Sequence, residues 1–301
     1  MMTPALAILC YHRIVDADEL DAAWPYLERG TAVRTETFVA QLADLARFAD
    51  VLAEDAALEV LAGRRRLTRA AVWLTFDDGY RDVLRAAPRV ITGTVFVTTC
   101  TAERVLPADA WYAVLVTATR ARGELDLGHG RFHYDLSRRA GRARLVNGPE
   151  RRAYLRGAPS TQEAALRALA ATLEPRGEVP RCYLTEAELR DLLGGGWTLG
   201  SHGVTHAPFD CLTDEELALE ATTSYQALSA LGGAVRSIAL PDGALPSSLA
   251  ALRRSGYECA LALGDAPAAP GAPVHARFLV PDDPRWVNQV LRPTLEGSAR
   301  G

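Results

Sequence analysis

The sequence contains no lysine, and all 33 of its basic residues are arginine. This excludes Schiff-base chemistry at a lysine, pyridoxal-phosphate attachment and the usual phosphate-loop lysine. Cysteine is sparse: five residues, Cys10, Cys100, Cys182, Cys211 and Cys259, with no C-x-x-C pair. An odd number without paired spacing argues against a disulfide framework or a four-cysteine zinc site, and favours reduced thiols. No run of about 18 apolar residues occurs, so no spanning helix is expected. Basic charge is not in excess. The 33 basic residues face 37 acidic ones for a net charge of −4, which argues against nucleic-acid binding as the main task. Residues 1–11 carry no basic leader and no small-residue cleavage site, and His12 and Arg13 follow the apolar run 5–11 at once. The expectation from that pattern is a cytoplasmic protein.

What is present reads as a folded α/β chain. Its 301 residues, 49% hydrophobic and 23% charged, suit one large domain spanning 1–301. Apolar runs at 5–11, 71–76 and 94–98 read as buried strands, separated by stretches long enough for helices. Phe38, Leu42, Leu45 and Phe48 recur at helical spacing, with Thr35 or Thr37 as a cap. Further strands are expected at 197–200, 235–240, 258–263 and 277–280. Helices are expected at 185–193, 213–231 and 249–255, the first two opened by capping boxes, Thr185 with Glu188 and Thr213 with Glu216. Strands alternating with helices point to a parallel β/α arrangement.

Residues 103–183 differ. They hold an apolar patch at 111–116, a hairpin-like piece at 124–134, a basic run of Arg138, Arg139, Arg142 and Arg144, and a helical stretch at 162–173. The segment reads as a mostly helical insertion. Its arginine run is either a solvated face or a site for an anionic group of a substrate.

Three polar groups stand at the C-terminal ends of expected strands, where parallel α/β folds build their sites. They are Asp77-Asp78-Gly79, His202 with His206, and Pro241-Asp242-Gly243. Taken alone, Asp-Asp-Gly is an ordinary turn sequence, and adjacent buried carboxylates repel unless a cation or a shared proton joins them. Histidines four apart on one helical turn would face the same side. Two neutral imidazoles and one carboxylate suit Zn²⁺ or a similar divalent ion, and the remaining carboxylate is free to act as a base.

Thr75-Phe76-Asp77-Asp78-Gly79-Tyr80 resembles the first motif of the polysaccharide deacetylases, the NodB-type carbohydrate esterases. Ser201-His202-Gly203-Val204-Thr205-His206 resembles their second motif, and Leu9-Cys10-Tyr11-His12-Arg13 the opening strand of one branch. The resemblance covers residues 5–101 and 184–281. It implies a distorted (β/α) barrel with a mostly helical insertion and one divalent metal. It implies Asp78, His202 and His206 as metal ligands and Asp77 as the general base. It also implies a backbone N–H of the third motif, here at Asp242, as an oxyanion donor. The metal expected is Zn²⁺, with Co²⁺, Ni²⁺ and Fe²⁺ nearly as compatible. For the general acid His275 is the first candidate and His12 the alternative, while Arg277 is a candidate for orienting Asp77. The chain departs from the family where Pro-Tyr-Gly is usual, because Asp242 replaces the tyrosine. That carboxylate would hold a cationic group of the substrate, add a metal contact, or reduce activity.

The expected activity is removal of an N-acetyl group from a small intracellular saccharide. An amino-sugar biosynthetic intermediate, such as one leading to an antibiotic, would fit. Two alternatives stay open: hydrolysis of another amide such as a formamide or cyclic ureide, and non-catalytic sugar binding on the same fold.

Overall fold

The computed structural model describes residues 4–128 and 130–297; His129 and residues 1–3 of the leader reading lie outside them. In chain order the elements begin with β1 (Leu6–Tyr11), β2 (Arg13–Val15), α1 (Leu20–Arg29), β3 (Ala32–Arg34), α2 (Thr35–Phe48), β4 (Ala49–Val51) and α3 (Glu54–Leu61). They continue with β5 (Ala70–Phe76), β6 (Thr94–Val97), α4 (Pro107–Val116), β7 (Arg122–Leu125), β8 (Phe132–Asp135), α5 (Arg139–Asn147), α6 (Pro149–Arg156) and α7 (Pro159–Leu173). The last third holds α8 (Glu186–Gly194), β9 (Thr198–Ser201), α9 (Asp214–Ser229), β10 (Ser237–Ala239), α10 (Ala250–Arg254), β11 (Cys259–Leu263), β12 (His275–Leu279) and α11 (Arg292–Leu295).

Seven strands close a parallel barrel in the order β1, β12, β11, β10, β9, β6, β5, with β5 pairing back onto β1 from Leu6–Ala71 to Tyr11–Phe76. The barrel is uneven along one wall. The start of β5 pairs with β4 at Ala70–Val72, and its end pairs with β6 at Thr75–Phe76. Alternation along the strands sorts the core into two layers. Leu6, Ile8, Trp73, Phe96 and Leu261 pack together inside the barrel, with Ala57, Leu58 and Leu61 of α3 against them. Ala7, Leu9, Leu74, Phe76 and Val95 face the surrounding helices. The fold expected from the motifs is therefore present, and the expected strands fall within two residues of the observed ones.

Local rules account for several helix starts. Thr185 and Thr213 accept hydrogen bonds from the backbone N–H groups of Glu188 and Glu216, and both capping boxes are complete. The cap expected for α2 is not made: its N-cap is Arg34, and Thr35 Oγ1 donates to the Asp16 carboxylate. No helix among the described residues is long and apolar enough to cross a membrane.

Between β6 and β9 the chain forms α4–α7 and the antiparallel β7–β8 ribbon around its own apolar cluster, which includes Trp111, Leu115, Leu145, Tyr154, Leu169 and Leu173. α1 shares that cluster through Ala23 and Tyr26. The tie to the barrel loops is polar and buried. Asp109 of α4 accepts from the hydroxyls of Tyr26 (2.7 Å), Tyr80 (2.7 Å) and Tyr183. Burial pushes the Asp109 carboxyl up, and the three hydroxyls partly offset it. The basic run is mainly a paired, solvent-facing strip. Arg138 faces Asp135 at 3.4 Å, Arg139 faces Glu28 at 3.8 Å, and Arg144 binds Glu150.

Candidate metal and catalytic site

β1, β5, β9, β10 and β12 deliver the site side chains to one mouth of the barrel. β5 ends at Phe76, and the chain turns immediately. Asp78 takes a left-handed φ of 70° and Gly79 one of 74°. A non-glycine residue rarely adopts that region. Four described non-glycine residues do, and three of them are Asp78 (70°), His206 (60°) and Asp242 (53°). Backbone strain thus concentrates at the three motifs, as it does at functional sites generally.

Asp78 Oδ1 is buried, with His206 Nε2 at 3.2 Å and His202 Nε2 at 3.5 Å, and no aligned hydrogen bond satisfies it. One donor atom from each of the three residues lies within 4.8 Å of the others. His202 Nδ1 lies 2.8 Å from the Ala239 carbonyl oxygen. A carbonyl only accepts, so Nδ1 carries the proton and the Nε2 lone pair faces the carboxylates. Burial pushes the His202 pKa down against the pull of Asp77, which favours the neutral ring. Burial acts on His206 in the same direction, but Asp78, with help from Asp242 and Asp77, raises it to about 9, so the ring must give up a proton before its Nε2 can bind an ion. The donor set, its spacing and the unsatisfied carboxylate oxygen fit a divalent cation.

The two histidines are not on a helical turn, contrary to expectation. They sit on the irregular loop after β9, with ring centroids 4.9 Å apart. Gly203, at φ 78°, allows that loop to fold. A Cβ there would lie 2.8 Å from Glu220 Oε2. Glu220 of α9 holds the loop by accepting from the N–H groups of Val204 (2.5 Å) and Thr205 (3.1 Å) and from the Thr205 hydroxyl (2.6 Å).

Asp77 has different surroundings. Arg277 grips it with two hydrogen bonds, Nη1 to Oδ1 at 2.6 Å and Nη2 to Oδ2 at 2.7 Å. The Cys10 thiol lies 3.3 Å from Oδ2. Burial opposes the charge, but Arg277, then His202, holds the carboxyl well below the usual range. Arg277 is itself fully buried, packed over the Phe96 ring at 5.2 Å and bonded to Thr75.

A pocket opens over these groups, lined by Asp77, Asp78, His202, His206, Asp242 and Arg277. His12 lines it too, and His275 does not. His275 begins β12 and pairs with Leu261, whereas Arg277 lies two residues nearer the mouth opposite Leu263. With a period of two both face inward, so Arg277 stands between His275 and the pocket. Asp242 lies on the pocket wall but outside the three-residue donor cluster. A second donor cluster is formed by Cys10, His12 and Asp77.

Sequence reasoning missed several residues here. Glu220 sits mid-helix with no motif, Cys10 reads as an ordinary strand residue, and Tyr112, Arg29 and Arg151 reach the pocket from α4, α1 and α6. Only tertiary packing brings those last three to the site.

Comparison with solved structures places the fold. The chain aligns with a deacetylase of Streptococcus pyogenes, PplD, solved with acetate, at a TM-score of 0.63 and 17% identity over 96% of this chain and 99% of that one. It aligns with IcaB from Ammonifex degensii at 0.60 and 18%, over 97% of both chains. It aligns with the deacetylase domain of BpsB from Bordetella bronchiseptica at 0.53 and 16%, over 91% of this chain and 95% of that one. No family profile and no curated protein sequence matches the chain. At 16–18% identity the likeness is one of fold: the barrel matches that of these solved structures.

Proposed function

We propose that this protein is a metal-dependent hydrolase that removes the N-acetyl group from a small amino sugar or an amino-sugar-containing intermediate. The observation that carries this reading is the pairing of environments at Asp77 and Asp78. One carboxylate sits unsatisfied between two imidazole Nε2 atoms, and its neighbour is held ionised by an arginine. The deacetylase fold agrees with it.

In this reading Asp78, His202 and His206 hold the ion, with Zn²⁺ the first candidate. When bound, the ion supplies Lewis-acid polarisation of the acyl carbonyl and acidifies a water. Asp77, kept charged by Arg277, accepts the proton of the attacking water. The bidentate grip fixes the direction of its free lone pairs. Water adds to the amide carbon, and the backbone N–H at Asp242 would stabilise the developing oxyanion. Collapse breaks the C–N bond, the amine nitrogen takes a proton from His12, and the products are an amine and acetate.

A small substrate fits the way the α4–α7 segment crowds the pocket, since Leu106, Ala108, Tyr112 and Arg151 form part of its wall. The test is acetate release from a panel of N-acetylated amino sugars. The reading expects acetate rather than formate, and a drop of about 10²–10⁴-fold in Asp77→Asn. Formate or ring-opened product would replace the acetyl reading. Acetate release that survives Asp77→Asn would remove Asp77 as the base.

A further inference from the structure

The pocket contains a charge that the deacetylation chemistry does not use. Arg151 of α6 is 5% exposed and lines the pocket. Its Nε has no hydrogen-bond partner, and it forms no ion pair among the described residues. The adjacent carboxylate, Glu150, is taken by Arg144. The Arg151 guanidinium lies 4.8 Å above the Tyr112 ring in a cation–π contact. Tyr112 lines the same pocket, and its buried hydroxyl has no hydrogen-bond partner among the described residues. Arg29, exposed at the rim, adds a second guanidinium.

Buried arginines are normally paired, because an uncompensated buried charge is strongly destabilising. A buried cation without an ion-pair partner and a buried hydroxyl without a hydrogen-bond partner among the described residues, on two side chains that line one pocket, form a set that an anion would satisfy. Asp242 shares the pocket but makes no ion pair with either arginine among the described residues.

We propose that Arg151, Tyr112 and Arg29 bind an anionic group of the substrate, a carboxylate or a phosphate, so that the acetamido sugar taken by this site is acidic. The proposal builds on the amide-hydrolase reading and adds the substrate class. It places the anion site in the α4–α7 segment and α1, whereas the metal ligands and Asp77 belong to the barrel loops. The basic run 138–144 does not supply it, because none of its arginines lines this pocket.

The experiment measures binding by calorimetry in the Asp77→Asn background, where turnover is expected to be about 10²–10⁴-fold slower. Three probes are compared: N-acetylglucosamine, its 6-phosphate and its uronic acid. The proposal expects at least one acidic probe to bind roughly ten-fold more tightly than the neutral sugar, the equivalent of one charge-assisted hydrogen bond. The better acidic probe identifies phosphate or carboxylate. Arg151→Gln abolishes the preference, and Arg29→Gln and Tyr112→Phe, which remove a rim charge and a single hydroxyl, each weaken it. Equal binding of all three probes overturns the proposal. So does a preference that survives Arg151→Gln; a lower melting temperature with the preference intact would assign Arg151 a packing role alone. Binding here is independent of acetate release. The anion site can therefore stand if hydrolysis fails, or fall while hydrolysis stands.

Discussion

At the scale of the residue, the two adjacent aspartates sit in different surroundings, and the proposed division of work between them rests on that. Asp77 meets a buried guanidinium, and Asp78 meets two imidazoles. The same logic separates the two candidate acids. His12 follows β1 and lines the pocket, while His275 begins β12 beneath Arg277. Substituting His12 with alanine is therefore expected to lower kcat for acetate release by about 10²-fold or more, whereas His275→Ala leaves kcat within a few-fold of the parent. Steady-state kinetics on the two variants checks this, and the reverse ranking would return the acid role to His275. The motif residues were legible in the sequence because their spacing after apolar runs marks strand ends. The depth of His275 was not, since a histidine next to a strand reads alike at either end of it. Arg151 was illegible for another reason: its meaning lies in the absence of a partner, which only packing reveals.

At the scale of the element, α3 shows how a helix at the barrel wall ties a buried acid to the sheet. Glu54 opens α3, is 1% exposed, and accepts from the Ser237 hydroxyl on β10. Burial, partly offset by the Ser237 and Thr198 hydroxyls and Arg236, raises its pKa from 4.5 to about 7. A raised folded-state pKa contributes stability that is complete below 4.5 and is lost as the pH rises through about 7. The contribution at stake is on the order of 3 kcal/mol. Glu54→Gln keeps an acceptor for Ser237 and removes the ionisation. Urea unfolding at pH 5 and pH 8 should show the parent losing stability between them and the variant losing less. Equal pH slopes would contradict the assignment. Strand positions were readable here because buried apolar runs have few alternatives. β4 and the short pairing of β2 with β3 were not, being three-residue strands that only their neighbours in the sheet define.

At the scale of the whole molecule, the insertion and the barrel meet through Asp109 and its three tyrosines, and the pocket lies beside that junction. Asp109→Ala would leave three hydroxyls without their acceptor, at a cost of roughly 2 kcal/mol or more. Hydrogen exchange should then rise in α4 while β5 keeps its protection; uniform protection would mean the junction holds without the acid. The barrel was legible from short apolar runs separated by helical stretches and from the strand-end motifs, and the insertion from its composition. How the insertion crosses the barrel mouth was not, because no local pattern encodes contact between distant segments. The central claim is that Asp78, His202 and His206 hold a divalent ion while Asp77 does not, and metal content per chain tests it most directly. The account predicts about one ion in the parent protein and in Asp77→Asn, and loss of it in Asp78→Ala and His206→Ala. A parent protein without metal would contradict it, as would an ion lost in Asp77→Asn and retained in Asp78→Ala, which would move the metal to the Cys10, His12 and Asp77 cluster.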